Sequence, residues 1–143
     1  MIKPTTNLKK ISELKKRIWC LQGSQGSAKT YSVLILLINH AQKHNSKEIY
    51  IASKELSKMK ITVIKDFRNI MISLGYWDDK SFNKSEYIYN FSNGSFIKFL
   101  GLDSEDIGKG LRSDIVFINE ANKINFETYR ELTSRAKRII LDY

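Results

Sequence analysis

Eight residues, Gly23-Ser24-Gln25-Gly26-Ser27-Ala28-Lys29-Thr30, carry the densest chemical signal in the chain. Their spacing nearly matches G-x-x-x-x-G-K-[ST], a loop built to hold phosphate. Small side chains let successive backbone N–H groups turn inward around phosphate oxygens, at the positive end of a helix that starts here. In that arrangement Lys29 reaches the β- and γ-phosphates of ATP and the Thr30 hydroxyl ligates Mg2+. One position departs from the pattern. Ala28 replaces the glycine before the lysine, and its methyl group demands a right-handed backbone, which the first turn of a helix already supplies.

A second constellation lies downstream, where the apolar run Ile115-Val116-Phe117-Ile118 ends in Asn119-Glu120. P-loop ATPases carry acids at such a strand end: one steadies Mg2+ through water and the next polarises the attacking water. Here the first acid is missing. Asn119 can accept a hydrogen bond from a metal-bound water but brings no charge to offset Mg2+, and Glu120 is the candidate general base. Just upstream, Lys109-Gly110-Leu111-Arg112 forms a compact basic turn before Asp114. Arg112 suits an arginine finger projecting from the subunit edge toward a neighbour's γ-phosphate, or, more plainly, a loop arginine in solvent.

Other residues of suggestive type carry less. His40 and His44 are four apart on a predicted helix, but position 41 is not a glutamate and no third ligand is evident, so they read as surface histidines. Trp19, Trp77, Tyr87, Tyr89, Phe91, Phe96 and Phe99 read as core and sheet-face residues rather than base-stacking platforms.

The elements that must position these residues alternate. Residues 17–22 suit a buried strand ending in the Gly-containing turn, and a helix should follow from about Lys29 to His44. Six consecutive apolar residues inside it, Val33 to Ile38, predict a helix packed flat on a sheet. Glu48 to Ser53 reads as a strand, and Leu56 to Leu74 as an amphipathic helix stopped by Gly75. Tyr87 to Phe91 and Ser95 to Gly101 flank Ser92-Asn93-Gly94, a hairpin signal. Asp114 to Asn119 is a further buried strand, Asn125 to Ser134 a helix, and Lys137 to Tyr143 a last strand. Strands alternating with helices give the rhythm of a parallel α/β sheet.

With 143 residues the chain fits one domain or a piece of one. A final apolar strand without a polar tail suggests a piece, 1–143 being a single partial domain. The hydrophobic fraction of 42% and charged fraction of 27% are those of a globular protein, excluding disordered and fibrous classes. No apolar run approaches the roughly 18 residues of a membrane span, and no signal peptide is evident, which points to an intracellular protein. Cys20, the single cysteine, is expected to be a small buried core residue. The net charge of +9 is densest at Lys9, Lys10, Lys15, Lys16 and Arg17. Such a field attracts polyanions, though a lysine-rich solvated surface would give the same number.

The order of these motifs resembles the phage terminase large subunit, specifically its PBSX-like prophage branch. The loop GSQGSAKT, the hairpin segment SNGSFIKFLGLDS, the turn KGLRS and the strand end INEAN carry the resemblance, and RIILDY looks like the strand that in the family leads into an Asn-Pro coupling motif. It runs from about residue 15 to the end. It implies an additional-strand P-loop ATPase that uses ATP and Mg2+, assembles as a ring on the portal protein with the small terminase subunit, and drives double-stranded DNA into a procapsid in the bacterial host cytoplasm. The family's C-terminal nuclease domain has no counterpart in these residues. Gln25 stands where many members carry arginine and Asn119 where they carry an acid, which makes binding a firmer expectation than hydrolysis. The alternatives are another P-loop DNA motor, helicase-like or AAA+, and a remnant that binds nucleotide without turnover.

Overall fold

The computed structural model describes residues 17–22, 29–103 and 111–143. A seven-stranded sheet forms its centre. The strands are β1 (Ile18–Leu21), β2 (Glu48–Ser53), β3 (Phe82–Asn83), β4 (Ile88–Asn90), β5 (Phe96–Gly101), β6 (Ser113–Ile118) and β7 (Ala136–Asp142), in the spatial order β1-β7-β6-β2-β5-β4-β3. The first five of that order, β1 to β5 across the sheet, are parallel; β4 and β3 extend it as an antiparallel edge. Four helices accompany it among the described residues: α1 (Lys29–Lys43), α2 (Leu56–Ile61), α3 (Val63–Ser73) and α4 (Phe126–Thr133).

Side-chain alternation gives the sheet two apolar faces. Ile49, Ile51, Ile97, Phe99, Ile115, Phe117 and Ile140 point toward α1 and α3, where Val33, Leu34, Leu37, Ile38, Phe67 and Ile70 close the larger core. Tyr50, Ala52, Val116, Ile118 and Ile139 point the other way, toward Leu132 of α4. A fully buried Leu, Ile or Phe contributes about 1.5–3 kcal/mol, so the apolar run in α1 is a principal anchor of the helix on the sheet. Phe67, Trp77, Tyr89 and Phe99 form an edge-to-face aromatic cluster inside the larger core, with ring centroids 5.2–6.4 Å from Phe67.

The hairpin, the helix starts and most strands lie where the sequence pattern puts them. Asn125 caps α4 by accepting from the Thr128 N–H at 2.8 Å. Gly75, at φ 76°, ends α3, with its N–H on the Ile72 carbonyl and that of Tyr76 on the Met71 carbonyl. Between Leu56 and Leu74, however, the single expected helix is two. Thr62 interrupts it at φ −121°, ψ −87°, and its hydroxyl donates to the Lys58 carbonyl at 2.7 Å. Ile61-Thr62-Val63-Ile64 is a run of β-branched residues, which crowd the preceding turn of a helix, and a threonine hydroxyl competes for backbone acceptors.

One other expectation changes. Cys20 is exposed rather than buried, because β1 is the edge strand and buries Trp19 on one face while Ile18 and Cys20 point to the other. Arg17 donates its guanidinium to the Thr133 and Ala136 carbonyls, at the end of α4 and the start of β7, at 3.0–3.2 Å; Lys9, Lys10, Lys15 and Lys16 lie outside the described residues. No helix among the described residues is long and apolar enough to cross a membrane.

Candidate active site

The parallel strands end along one edge of the sheet, and the chemistry-bearing residues collect there. Register pairs Leu21 of β1 with Asp142 of β7, and Leu141 with Ile118 of β6, so Asn119 and Glu120 follow at the level of Asp142. Helix α1 begins at the same edge with Lys29 and Thr30 in its first turn. Crevices at the carboxyl ends of parallel strands are the usual ligand sites of such sheets.

Asp142 is the hub of this site. The Thr30 hydroxyl lies 3.0 Å from Asp142 Oδ2 and 3.4 Å from the side-chain amide of Asn119. Having one proton, it serves the nearer, charged acceptor. The Asn119 amide then has one sensible orientation: with its nitrogen toward Asp142 it donates to both carboxylate oxygens at 3.0 and 2.9 Å, whereas the reverse would set acceptor against acceptor. The Glu120 N–H donates to Asp142 Oδ1 as well. Asp142 is 3% exposed. Burial pushes its carboxyl above the ordinary carboxylate range, against the opposing pull of the Glu120 N–H, the Thr30 hydroxyl and the Lys29 charge.

Glu120 follows β6 in a left-handed conformation, φ 54°, ψ 52°. A non-glycine residue there costs about 1–3 kcal/mol and persists only where the surroundings fix it; the bond from its N–H to Asp142 is one such constraint. Its carboxylate is partly exposed and lies 3.2 Å from Lys123 Nζ. Lys29 donates to the Tyr143 carbonyl at 2.8 Å, which holds its ammonium over the end of β7.

Thus the structure brings Lys29, Thr30, Asn119 and Glu120 together. Gly23, Ser24, Gln25, Gly26, Ser27 and Ala28, the rest of the loop, lie outside the described residues, as do Lys109 and Gly110 of the basic turn. Arg112 is elsewhere. It precedes β6, whereas Asn119 follows that strand, and seven residues of extended chain span about 23 Å. Exposed beside Lys47, Asp114, Arg135 and Lys137 at the opposite end of the sheet, Arg112 does not reach the site on its own chain. The His40 and His44 rings lie tilted with centroids 4.5 Å apart, and no group of three His, Cys, Asp or Glu side chains that could hold a metal ion exists among the described residues.

Local spacing alone gives Asp142 no role. A signal was present: Ile139-Ile140-Leu141-Asp142 is an apolar strand run ending in an acid, the same grammar that drew attention to Ile115–Glu120. What was not legible is that β7 inserts between β1 and β6, which puts that acid between Thr30 and Asn119.

A parallel sheet with the loop-bearing strand at its edge, one strand inserted between it and the strand ending in Asn119-Glu120, and a helix opening on Lys29-Thr30 define the additional-strand class of P-loop nucleotide-binding folds. Within that class the chain belongs to the phage terminase large subunit family, whose sequence model matches residues 15–140. Solved structures carry the same fold. The large terminase of a thermophilic bacteriophage superposes with a TM-score of 0.80 at 16% identity, covering 98% of this chain and 39% of that one. The HK97 bacteriophage large terminase gives 0.75 at 11% identity, with 99% and 33% covered. The large terminase ATPase domain of Thermus phage P74-26 gives 0.72 at 13%, with 98% and 64% covered. The first of these three proteins has also been solved with ADP and with ATP-γ-S. The chain spans about two fifths of that protein and about one third of the HK97 protein. No curated protein matches it by sequence.

Proposed function

We propose that this chain is the ATP-binding and ATP-hydrolysing portion of a large terminase motor, of the PBSX-like branch, that moves double-stranded DNA into a procapsid. The observation that carries the reading is the convergence of Lys29, Thr30, Asn119 and Glu120 at one sheet edge, from segments about 90 residues apart in sequence. The ADP and ATP-γ-S complexes of the thermophilic bacteriophage's large terminase support a nucleotide as the ligand.

In this reading residues 23–28 surround the phosphates with backbone N–H groups and Lys29 exchanges the Tyr143 carbonyl for β- and γ-phosphate oxygens. Mg2+ suits the same place: the Thr30 hydroxyl offers a hard oxygen donor, and the Asn119 side chain stands 3.4 Å from it. Thr30 would hold the ion directly and Asn119 through water, and bound there it neutralises phosphate charge. Glu120 takes a proton from the attacking water as its oxygen bonds to the γ-phosphorus. The bond from that phosphorus to the bridging oxygen breaks, releasing ADP and inorganic phosphate. Arg112, unable to reach its own site, acts across a subunit boundary in a homo-oligomeric ring. The portal protein and small terminase subunit are the further partners, and the host cytoplasm the compartment, that a packaging motor requires.

A second reading, binding without turnover, is favoured by two details: the neutral Asn119 and the Lys123 ammonium 3.2 Å from Glu120. ATP hydrolysis by the chain, by Lys29→Ala and by Glu120→Gln, with and without duplex DNA, separates the two. The motor reading expects turnover in the parent chain, none in Lys29→Ala, and a loss of about 100-fold or more in Glu120→Gln, the scale of a general base. A parent chain that binds ATP tightly yet turns over no faster than Glu120→Gln selects the non-catalytic reading.

A further inference from the structure

Position 119 offers Mg2+ no charge, yet the site does contain a carboxylate, supplied by a different strand. We propose that Asp142 is the acidic member of the metal site, standing in from β7 for the acid that β6 lacks, and that Asn119 serves to hold it in place. The inference rests on the nucleotide reading above, gives Asp142 a role that reading leaves open, and moves Asn119 from the ion's waters to the carboxylate.

Three observations converge. Asp142 Oδ2 lies 3.0 Å from the hydroxyl of Thr30, the side chain that ligates the cation in this type of loop. An acid that binds the ion's waters stands near that hydroxyl, and Asp142 does. Second, Asn119 directs its amide nitrogen at both oxygens of Asp142, at 3.0 and 2.9 Å. The residue at the expected position is thus a donor to the carboxylate rather than its replacement. Third, the carboxylate is 3% exposed and its hydrogen bonds come from neutral groups, namely Thr30, Asn119 and the Glu120 N–H. A buried carboxylate is costly without a counter-charge, and a divalent cation at Thr30 would supply one beyond what the Lys29 ammonium gives. The Glu120 N–H bond also couples the two acids: the carboxylate beside the cation fixes the backbone that carries the candidate base.

The exchange is geometrically simple. The Thr30 hydroxyl would offer a lone pair to the ion, and Asp142 would accept from the ion's waters while keeping the Asn119 and Glu120 bonds.

ATP titrations of the full chain, once in Mg2+ and once in EDTA, test this. In the parent chain Mg2+ tightens ATP binding. In Asp142→Asn, whose amide oxygen can still accept the Glu120 N–H, the Mg2+ requirement is expected to rise by about 10–100-fold, the usual effect of removing a group that acts through a metal's waters, whereas affinity in EDTA does not fall, because one negative charge has left the phosphate site. The transposed double variant Asn119→Asp/Asp142→Asn keeps one carboxylate and one amide in the pair and is expected to recover the Mg2+ response; a purely structural Asp142 predicts no such recovery. Thermal melts check that each variant folds, and if Asp142→Asn does not, the double variant alone decides, a missing Mg2+ response counting against the proposal. An Asp142→Asn chain with the parent's Mg2+ dependence overturns the proposal and leaves the nucleotide reading intact. A folded parent chain that binds no ATP in either buffer overturns both.

Discussion

A carboxylate moved out of water must be compensated by hydrogen bonds and charge, and where compensation is incomplete it raises its pKa and costs stability. Asp142 is such a group: burial pushes its carboxyl up more than the Glu120 N–H, the Thr30 hydroxyl and Lys29 pull it down. Since its charged form is disfavoured in the fold, replacing it by a neutral isostere should stabilise the nucleotide-free chain at neutral pH. Asp142→Asn is expected to gain on the order of 1 kcal/mol, a few degrees in Tm, in a thermal melt at pH 7; a lower Tm than the parent would mean that the carboxylate is a net structural asset. Glu120 carries a second local cost, its left-handed backbone. Both lie at the candidate site, where stability is commonly traded for function. At this scale local spacing singles out Lys29, Thr30, Asn119 and Glu120, which the fold gathers at one edge of the sheet. It hides Asp142, whose significance depends on which strands are neighbours, and it misleads about Cys20, since apolar neighbours along the chain do not tell which face of an edge strand is covered.

Strands and helices were legible where their signal is local: Asn-Gly at the hairpin, Gly75 after α3, the apolar run in α1. Strand order was not, because β6 and β7 are both apolar runs and nothing in either specifies its neighbour. The two-residue β3 is too short to carry a periodic signal, and the break at Thr62 reflects β-branched crowding that apolar periodicity overlooks. Far from the candidate site, Asp114 ties three parallel strands together at their starting edge. It accepts the Glu48 N–H of β2 at 2.8 Å, and Lys137 of β7 lies 3.2 Å and Lys47 4.0 Å from it. Burial pushes its carboxyl up, but the Glu48 N–H, Lys137 and Lys47 outweigh that and hold it below the ordinary range. A depressed acid contributes stability that is present above the unfolded pKa of about 3.9 and is lost as pH falls through the lower folded value. Asp114→Asn should therefore melt below the parent at pH 7, by about 1–3 kcal/mol for a hydrogen-bonded charge, and the gap should close as the pH is taken below about 4. A gap that stays constant down to pH 3 would deny the ionised Asp114 that role. Asp114 and Asp142 thus work in opposite senses at opposite edges of one sheet.

For the whole molecule, the fold, the family match over residues 15–140 and the gathered site agree on one centre of chemistry, at the carboxyl edge of the sheet. The opposite edge carries Lys47, Arg112, Arg135 and Lys137, contributing to the net charge of +9. The resemblance to packaging motors was legible in the ordered motifs, whereas the placing of these two groups of residues at opposite edges required the sheet. Whether Lys29 and Thr30 open a nucleotide site is decided by equilibrium titration of ATP into the chain and into Lys29→Ala, with both shown to fold by their melting curves. Saturable binding is expected in the parent chain, weakened by Lys29→Ala at least about 100-fold, as when a charge-assisted phosphate contact of roughly 3 kcal/mol is removed. Equal affinity in the two chains, or no binding by a folded parent chain at millimolar ATP, would refute the nucleotide site.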